Sequence, residues 1–330
     1  MQTLTGMEQG FPRLLGDVGG TNARFAWQAH AGAALGHCRT LPCNAFAGID
    51  GCIAEYLRLE ELPPPRRAAF GIATAITGDQ VEMTNHHWHF STAALKVALG
   101  VERLLVLNDF EALAHAVPDL AGAEIRAIGG GTAAAGASLA VIGAGTGLGV
   151  SGLVADGRGG WSAVVGEGGH VTLAATTARE ASVLAVLRER FGHGSAERAL
   201  SGPGLVNLYD ALCTLDGEAA DALEPADVMS RGMAVGAAHD PHCHEALSTF
   251  AAMLGNVAGN LALTLGARGG VYVGGGIVPR LGGFFDGLPF RARFEDKGRF
   301  RGYLEAIPSW VIVADTPALS GAARALDGLG

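Results

Sequence analysis

Two short stretches of this chain carry residue types suited to chemistry on an anion: Gly16-Asp17-Val18-Gly19-Gly20-Thr21-Asn22 and Gly143-Ala144-Gly145-Thr146-Gly147-Leu148-Gly149. Each follows an apolar run that reads as a buried strand, Leu14-Leu15 and Leu139-Ala140-Val141-Ile142, and each then turns through glycines carrying a threonine. A turn without Cβ atoms lets backbone N–H groups converge on a phosphate, and the threonine hydroxyl adds a donor. One glycine-rich turn is a common feature. Two of them about 125 residues apart, the first holding a carboxylate, imply a nucleotide gripped between two halves of a phosphotransferase.

Two other phosphate motifs fit poorly. A P-loop needs a lysine after its last glycine, and neither stretch has one. The second stretch meets G-x-G-x-x-G only out of register. The acidic residue that a dinucleotide site wants about 20 positions on is also missing, because Asp156 comes too early and Glu167 sits among glycines.

The elements that position these turns follow from hydrophobic period and turn residues. Leu14–Val18, Arg24–His30 and Ala34–Leu41 read as three strands and Ile49–Leu59 as a helix. Arg67–Ala73 then reads as a strand, Ser91–Leu99 as a helix capped by Ser91, Leu104–Leu107 as a strand and Asp109–Val117 as a helix. That is a βββαβαβα unit. The uncharged segment 127–155 is broken by glycines into strand-turn-strand. The other uncharged segment, 246–267, has a helical stripe of Leu247, Phe250, Leu254, Val257, Leu261 and Leu265, which favours a buried helix over a membrane span. Glu180–Phe191 reads as an amphipathic helix closed by Gly192, and Val271-Tyr272-Val273 runs into a third glycine turn, Gly274-Gly275-Gly276. A strand over 310–313 and a helix over 318–326 end the chain. At 330 residues two domains are expected.

With 49% hydrophobic and 17% charged residues the composition is that of a well-buried globular protein. A net charge of -9 argues against nucleic acid as the partner. Basic residues between Arg291 and Arg301 are interrupted by Glu295 and Asp296 and read as a solvated loop. Five cysteines without a C-x-x-C pair suggest reduced thiols in the cytoplasm, and residues 1–11 read as a loose leader without a signal segment. His86, His87 and His89, and His242 with His244, lack the paired spacing of a structural zinc site.

Longer motifs carry a resemblance. GDVGGTNAR (16–24), AITGDQVEMTNHHWHFS (75–91), LNDFEALAHA (107–116), GAGTGLGV (143–150), GEGGHV (166–171), SAERALSGPGLVNLY (195–209), AGNLALTLG (258–266), GGGIVPR (274–280) and FEDKGRF (294–300) resemble the bacterial ATP-dependent glucokinases of the proteobacterial, non-ROK type. The resemblance runs from about Leu14 to the C-terminus. ROK sugar kinases have a cysteine-rich zinc motif after the corresponding histidine, whereas 171–191 holds no cysteine here. The resemblance implies an α/β, two-domain actin-like (ribonuclease H-like) sugar-kinase fold of the hexokinase superfamily. Its interdomain cleft, between a small domain of 1–118 plus 309–330 and a large one of 119–308, would close on glucose and exclude water.

The resemblance also implies roles. Asp109, at the end of a strand where ligands collect in open α/β sheets, would be the base that takes the O6 proton of glucose. Asn108, Glu167, His170 and Glu197 would bind sugar hydroxyls beside it. Gly16, Asp17, Gly19, Gly20, Thr21 and Asn22, with Gly145, Thr146 and Gly147, would line the ATP phosphates. Gly274, Gly275 and Gly276 would approach the adenosine. Asp17 would repel phosphate unless Mg²⁺ intervened, so it would serve the metal through water. Asp109 also suits an ordinary helix cap, and Asp17 an ordinary turn. A homodimer is implied, with no membrane or nucleic-acid partner. Alternatives are a kinase for another hexose and a catalytically silent sugar-responsive regulator. One departure stands out. The family's usual C-P-I-T-G reads Thr74-Ala75-Ile76-Thr77-Gly78, and loss of the proline is expected to relax this loop.

Overall fold

The structure is a computed structural model that describes residues 10–328, so most of the expected leader, residues 1–9, lies outside the described residues. Its elements in chain order begin with β1 (Arg13–Val18), β2 (Asn22–Gln28), β3 (Gly36–Pro42), α1 (Ile49–Leu59), β4 (Arg67–Ile72), β5 (Gln80–Glu82), β6 (His89–Ser91), α2 (Thr92–Leu99), β7 (Arg103–Asn108) and α3 (Asp109–Ala116). They continue with β8 (Ile125–Ala127), β9 (Leu139–Ala144), β10 (Leu148–Ala155), β11 (Trp161–Val164), α4 (Ala178–Phe191), α5 (Gly202–Asp216), α6 (Pro225–Met233) and α7 (Pro241–Leu265). The last are β12 (Val271–Gly274), α8 (Ile277–Leu281), α9 (Phe290–Glu295), α10 (Arg301–Glu305), β13 (Ser309–Ile312) and α11 (Pro317–Asp327). The chain divides into two compact units, Met1–Leu120 with Ala314–Gly330, and Ala121–Val313.

The first unit is built on a sheet of order β3-β2-β1-β4-β7. β1 runs antiparallel to β2 and parallel to β4, which is parallel to β7. The three parallel strands end in step, with Val18, Ile72 and Asn108 side by side, so the turn after β1 and the start of α3 emerge at one sheet end about 10 Å apart. One face packs Phe25, Tyr56 and Phe70 into a core, and α11 covers the other through Leu319, Ala322 and Leu326. The expected βββαβαβα order is present with one addition, the small hairpin of β5 and β6, which is too short to carry a clear period. Ser91 caps α2 by accepting from the Ala94 N–H, as its sequence position suggested.

In the second unit the sheet order is β11-β10-β9-β12-β13-β8. The pattern of the first sheet recurs, with an antiparallel meander feeding parallel strands: β9 is antiparallel to β10 and parallel to β12, which is parallel to β13. The strand near 310 therefore belongs to this sheet. Its expected place in the small domain is corrected, because Tyr272 stacks on Trp310 at 4.8 Å and Val311 is buried in the second core, while only the terminal helix returns to the first unit. α7 has the length and hydropathy to cross a membrane, but Leu247, Phe250 and Leu254 are fully buried in this unit's core.

The basic run from Arg291 is solvated only in its second half, where Arg299 and Arg301 are exposed; its first half faces inward. Arg291 donates to the carbonyls of Ile307, Leu304 and Glu305 and pairs with Glu295. Lys297 donates to the backbone and side-chain oxygens of buried Asn256. Arg293 lies 3.0 Å from Glu180, whose carboxylate is buried and also accepts from Thr176. These cations face inward and hold α7, α9 and the start of α4 together, which their spacing does not reveal. Arg293→Met leaves that buried carboxylate without its cation and is expected to destabilise the fold by about 2 kcal/mol, read from denaturant unfolding.

A second, exposed network joins Arg179 to Asp216 and Glu245, with His242 on Asp216 at 3.1 Å. Arg179 and then His242 hold Asp216 down at about 2. Because the folded value lies below the unfolded one, its stabilising effect is complete above about pH 4 and is lost as pH falls towards 2. The Tm difference between the protein and Asp216→Asn is therefore expected to shrink as pH is lowered through that window.

Candidate active site

In the first unit β1 delivers Asp17 and then turns through Gly19 and Gly20, leaving Thr21 and Asn22 exposed at the turn. The Gly19 N–H donates to the Asn22 carbonyl at 3.0 Å, and the Cys43 N–H to the Thr21 carbonyl. Gly16, expected to line the ATP phosphates, lies in β1 ahead of the turn. It is buried within the strand, where a methyl group would lie 2.6 Å from the Phe70 ring and 3.2 Å from that of Phe25, so its glycine is a packing requirement. Gly20 faces the turn of the β5–β6 hairpin, and a methyl group there would come 2.8 Å from the Asn85 carbonyl.

The carboxylate of Asp17 pairs with Arg24 at 3.2 Å, an arrangement set by the β1–β2 register, which places the two residues opposite each other. Burial pushes the Asp17 carboxyl up, and Arg24 works against that rise. Arg24 had no role in the sequence reading. The signal was present, since a short turn between antiparallel strands places residues seven apart across from one another.

Asn108 and Asp109 sit where β7 becomes α3. The helix cap is Asn108, whose Oδ1 accepts from the N–H groups of Phe110 and Glu111, while its Nδ2 donates to the Thr74 carbonyl at 3.1 Å. Asp109 is therefore not the capping residue. It occupies the first turn of the helix, where the unsatisfied N–H groups favour negative charge, and accepts from the Phe110 N–H at 3.0 Å. Burial pushes the neighbouring Glu111 carboxyl up.

The second unit brings Glu167, His170 and Glu197 together around the start of β10. Gly168 and Gly169 lie directly on Val150 and Leu148, so the short turn Gly168–His170 rests on the strand without side chains between. The His170 N–H donates to the Glu167 carbonyl at 3.0 Å, and the Glu197 N–H to that of Gly169 at 2.9 Å. Glu197 Oε2 accepts from the Leu148 N–H at 2.9 Å, and a methyl group on Gly147 would lie 2.5 Å from that same oxygen. Glu197 is half-buried, whereas Glu167 and His170 are exposed.

Gly145, Thr146 and Gly147 form the β9–β10 turn, with Thr146 exposed, and the Gly202 N–H at the start of α5 donates to the Gly145 carbonyl at 2.7 Å. β12 is parallel to β9 and brings Gly274 beside Gly143. Gly275 follows with φ +76°, against the Ala144 backbone, and Gly276 precedes α8. Two glycine turns far apart in sequence thus form one backbone-lined end of the sheet, with α5 beginning beside it, a setting suited to phosphate.

The glucokinase family profile matches residues 14–328. A glucokinase from Aromatoleum aromaticum is 56% identical over 98% of this chain and 97% of its own. Another from Chromobacterium violaceum is 51% identical over 98% of this chain and 91% of its own. The crystal structure of a glucokinase from an Antarctic psychrotroph matches with a TM-score of 0.86 at 35% identity, covering 96% of this chain and 99% of that one. The duplicated sheets and glycine turns are those of a sugar kinase with the two-domain actin-like ATPase fold. Within that class, the chain belongs to the glucokinase family.

Proposed function

We propose that this protein transfers the γ-phosphoryl group of ATP to O6 of D-glucose, giving glucose 6-phosphate and ADP. Membership of the glucokinase family together with the pairing of Asn108 and Asp109 at the end of β7 supports this reading most strongly. The absence of cysteine from 171–191 favours the non-ROK branch. The same kinship supports a cytoplasmic homodimer.

Asp109 accepts the O6 proton as the new P–O bond forms. Asn108 has its oxygen engaged by α3 and one amide hydrogen by Thr74, so its second amide hydrogen is available to a sugar hydroxyl. Glu167, His170 and Glu197 supply acceptors and donors to the remaining hydroxyls. Glu197 keeps Oε1 for this while Oε2 holds the Leu148 N–H. The reading requires these groups and Asp109 to act on the same glucose molecule. Backbone N–H groups at Gly19–Asn22 and Gly145–Gly147 receive the phosphates, and the Gly274–Gly276 turn the adenosine.

Mg²⁺ fits Asp17. In phosphoryl-transfer sites this ion takes one or two carboxylates, keeps several waters and binds phosphate oxygens, and Asp17 is a carboxylate at a phosphate turn whose burial leaves it favouring added positive charge. Asp17 would hold the ion through water, and the chemistry supplied there would be neutralisation of charge on the phosphates.

The test is Mg-ATP-dependent phosphorylation of glucose, mannose, fructose and N-acetylglucosamine in parallel. Glucose is expected to show the highest kcat/KM, with no turnover in EDTA. Preference for another hexose would move the reading to that sugar, and glucose binding without turnover would favour a regulator.

A further inference from the structure

The loop in which Ala75 replaces the usual proline is not loose. Thr74 is 8% exposed, and its hydroxyl donates to the Glu82 carbonyl at 2.9 Å and shares a hydrogen bond with the Thr84 hydroxyl at 3.0 Å. Its backbone is engaged as well. The N–H donates to the Ile72 carbonyl at 2.8 Å, and the carbonyl is the one that receives Asn108 Nδ2. The far end of the loop is held by Asp79, which accepts from the Thr92 hydroxyl and the Ala93 N–H. The hairpin between these anchors places Asn85 on Gly20 of the β1–β2 turn. Thr74 thus touches both the hairpin that packs on that turn and the asparagine beside Asp109.

We propose that Thr74 is a positioning residue for sugar binding: its hydroxyl fixes the 74–84 segment, and its carbonyl thereby sets the orientation of the Asn108 amide. Proline restrains a loop by locking φ. Here two side-chain hydrogen bonds from the preceding residue take over that restraint. This rests on the assignment of Asn108 to the sugar.

Thr74→Val keeps the shape and removes the hydroxyl, Thr74→Ser keeps the hydroxyl, and Thr74→Val with Ala75→Pro restores restraint by another route. The measurements are glucose KM, ATP KM and kcat, together with amide hydrogen exchange at Phe110 and Glu111, whose N–H groups Asn108 caps. Thr74→Val is expected to raise glucose KM about fivefold with kcat and ATP KM within about twofold, and to speed exchange at both amides. Serine at 74 and proline at 75 should each return these values towards the parent. An unchanged glucose KM in Thr74→Val, or a lower Tm with only the active fraction reduced, would overturn the proposal. Should the parent protein fail to phosphorylate glucose, the functional reading falls separately. Exchange then decides for Thr74, with unchanged rates at Phe110 and Glu111 overturning the restraint and faster rates supporting it.

Discussion

Asp109→Asn is expected to lower kcat by about 10³-fold while glucose affinity stays within about threefold of the parent. The carboxamide nearly matches the carboxylate in shape, and its oxygen can still accept from the Phe110 N–H, so α3 and the Asn108 cap are retained. What disappears is the capacity to take the O6 proton as the hydroxyl attacks. Pre-steady-state phosphorylation separates this from slower product release, because only loss of the base removes the first turnover. Retention of more than about a tenth of kcat would reassign the base. A fall in glucose affinity as large as the fall in kcat would make Asp109 a binding group.

The next largest effect is expected from Gly275→Ala. At φ +76° an alanine costs about 1–2 kcal/mol, because its Cβ crowds the following carbonyl. The new methyl group would also be driven into the backbone of Ala144. Rotamer changes cannot relieve a collision with a main chain, so the ends of β9 and β12 must separate. That moves the Gly145–Gly147 and Gly274–Gly276 turns apart, and ATP KM is expected to rise at least about tenfold with a lower Tm. Gly283→Ala is the matching control, since a methyl group there meets nothing within 4 Å and the residue lies outside the turns assigned to ATP. Equal effects from the two substitutions would show that the strain at 275 is not what matters.

Much of this could be read from the residues. The strands before each glycine turn are apolar runs, and helices such as Thr92–Leu99 carry a Ser91 cap at one end and Gly100 at the other, so their placement is a local matter. The Asn108-Asp109 pair stands out because a polar pair at the end of an apolar strand has little packing use. Other features depend on tertiary partners. Nothing around Arg293 or Lys297 says that they point at Glu180 and Asn256, because a basic stretch has the same sequence whether it faces water or a buried acceptor. The strand at Ser309–Ile312 carries no mark of which sheet it joins, since a parallel partner is chosen by crossover and packing. Gly16 reads as part of a phosphate loop because glycines and a threonine follow it, and the packing of two aromatic rings from β2 and β4, which demands the glycine, leaves no mark in that stretch. Ala75 suggested slack, which Thr74 removes through contacts eight and ten residues away.

The most direct test of the central claim is ³¹P NMR of the purified protein incubated with glucose, ATP and Mg²⁺. The account predicts a glucose 6-phosphate resonance growing in step with ADP, present with the parent and absent on the same timescale with Asp109→Asn. ADP and inorganic phosphate without sugar phosphate, or no consumption of ATP while glucose binds, would contradict it.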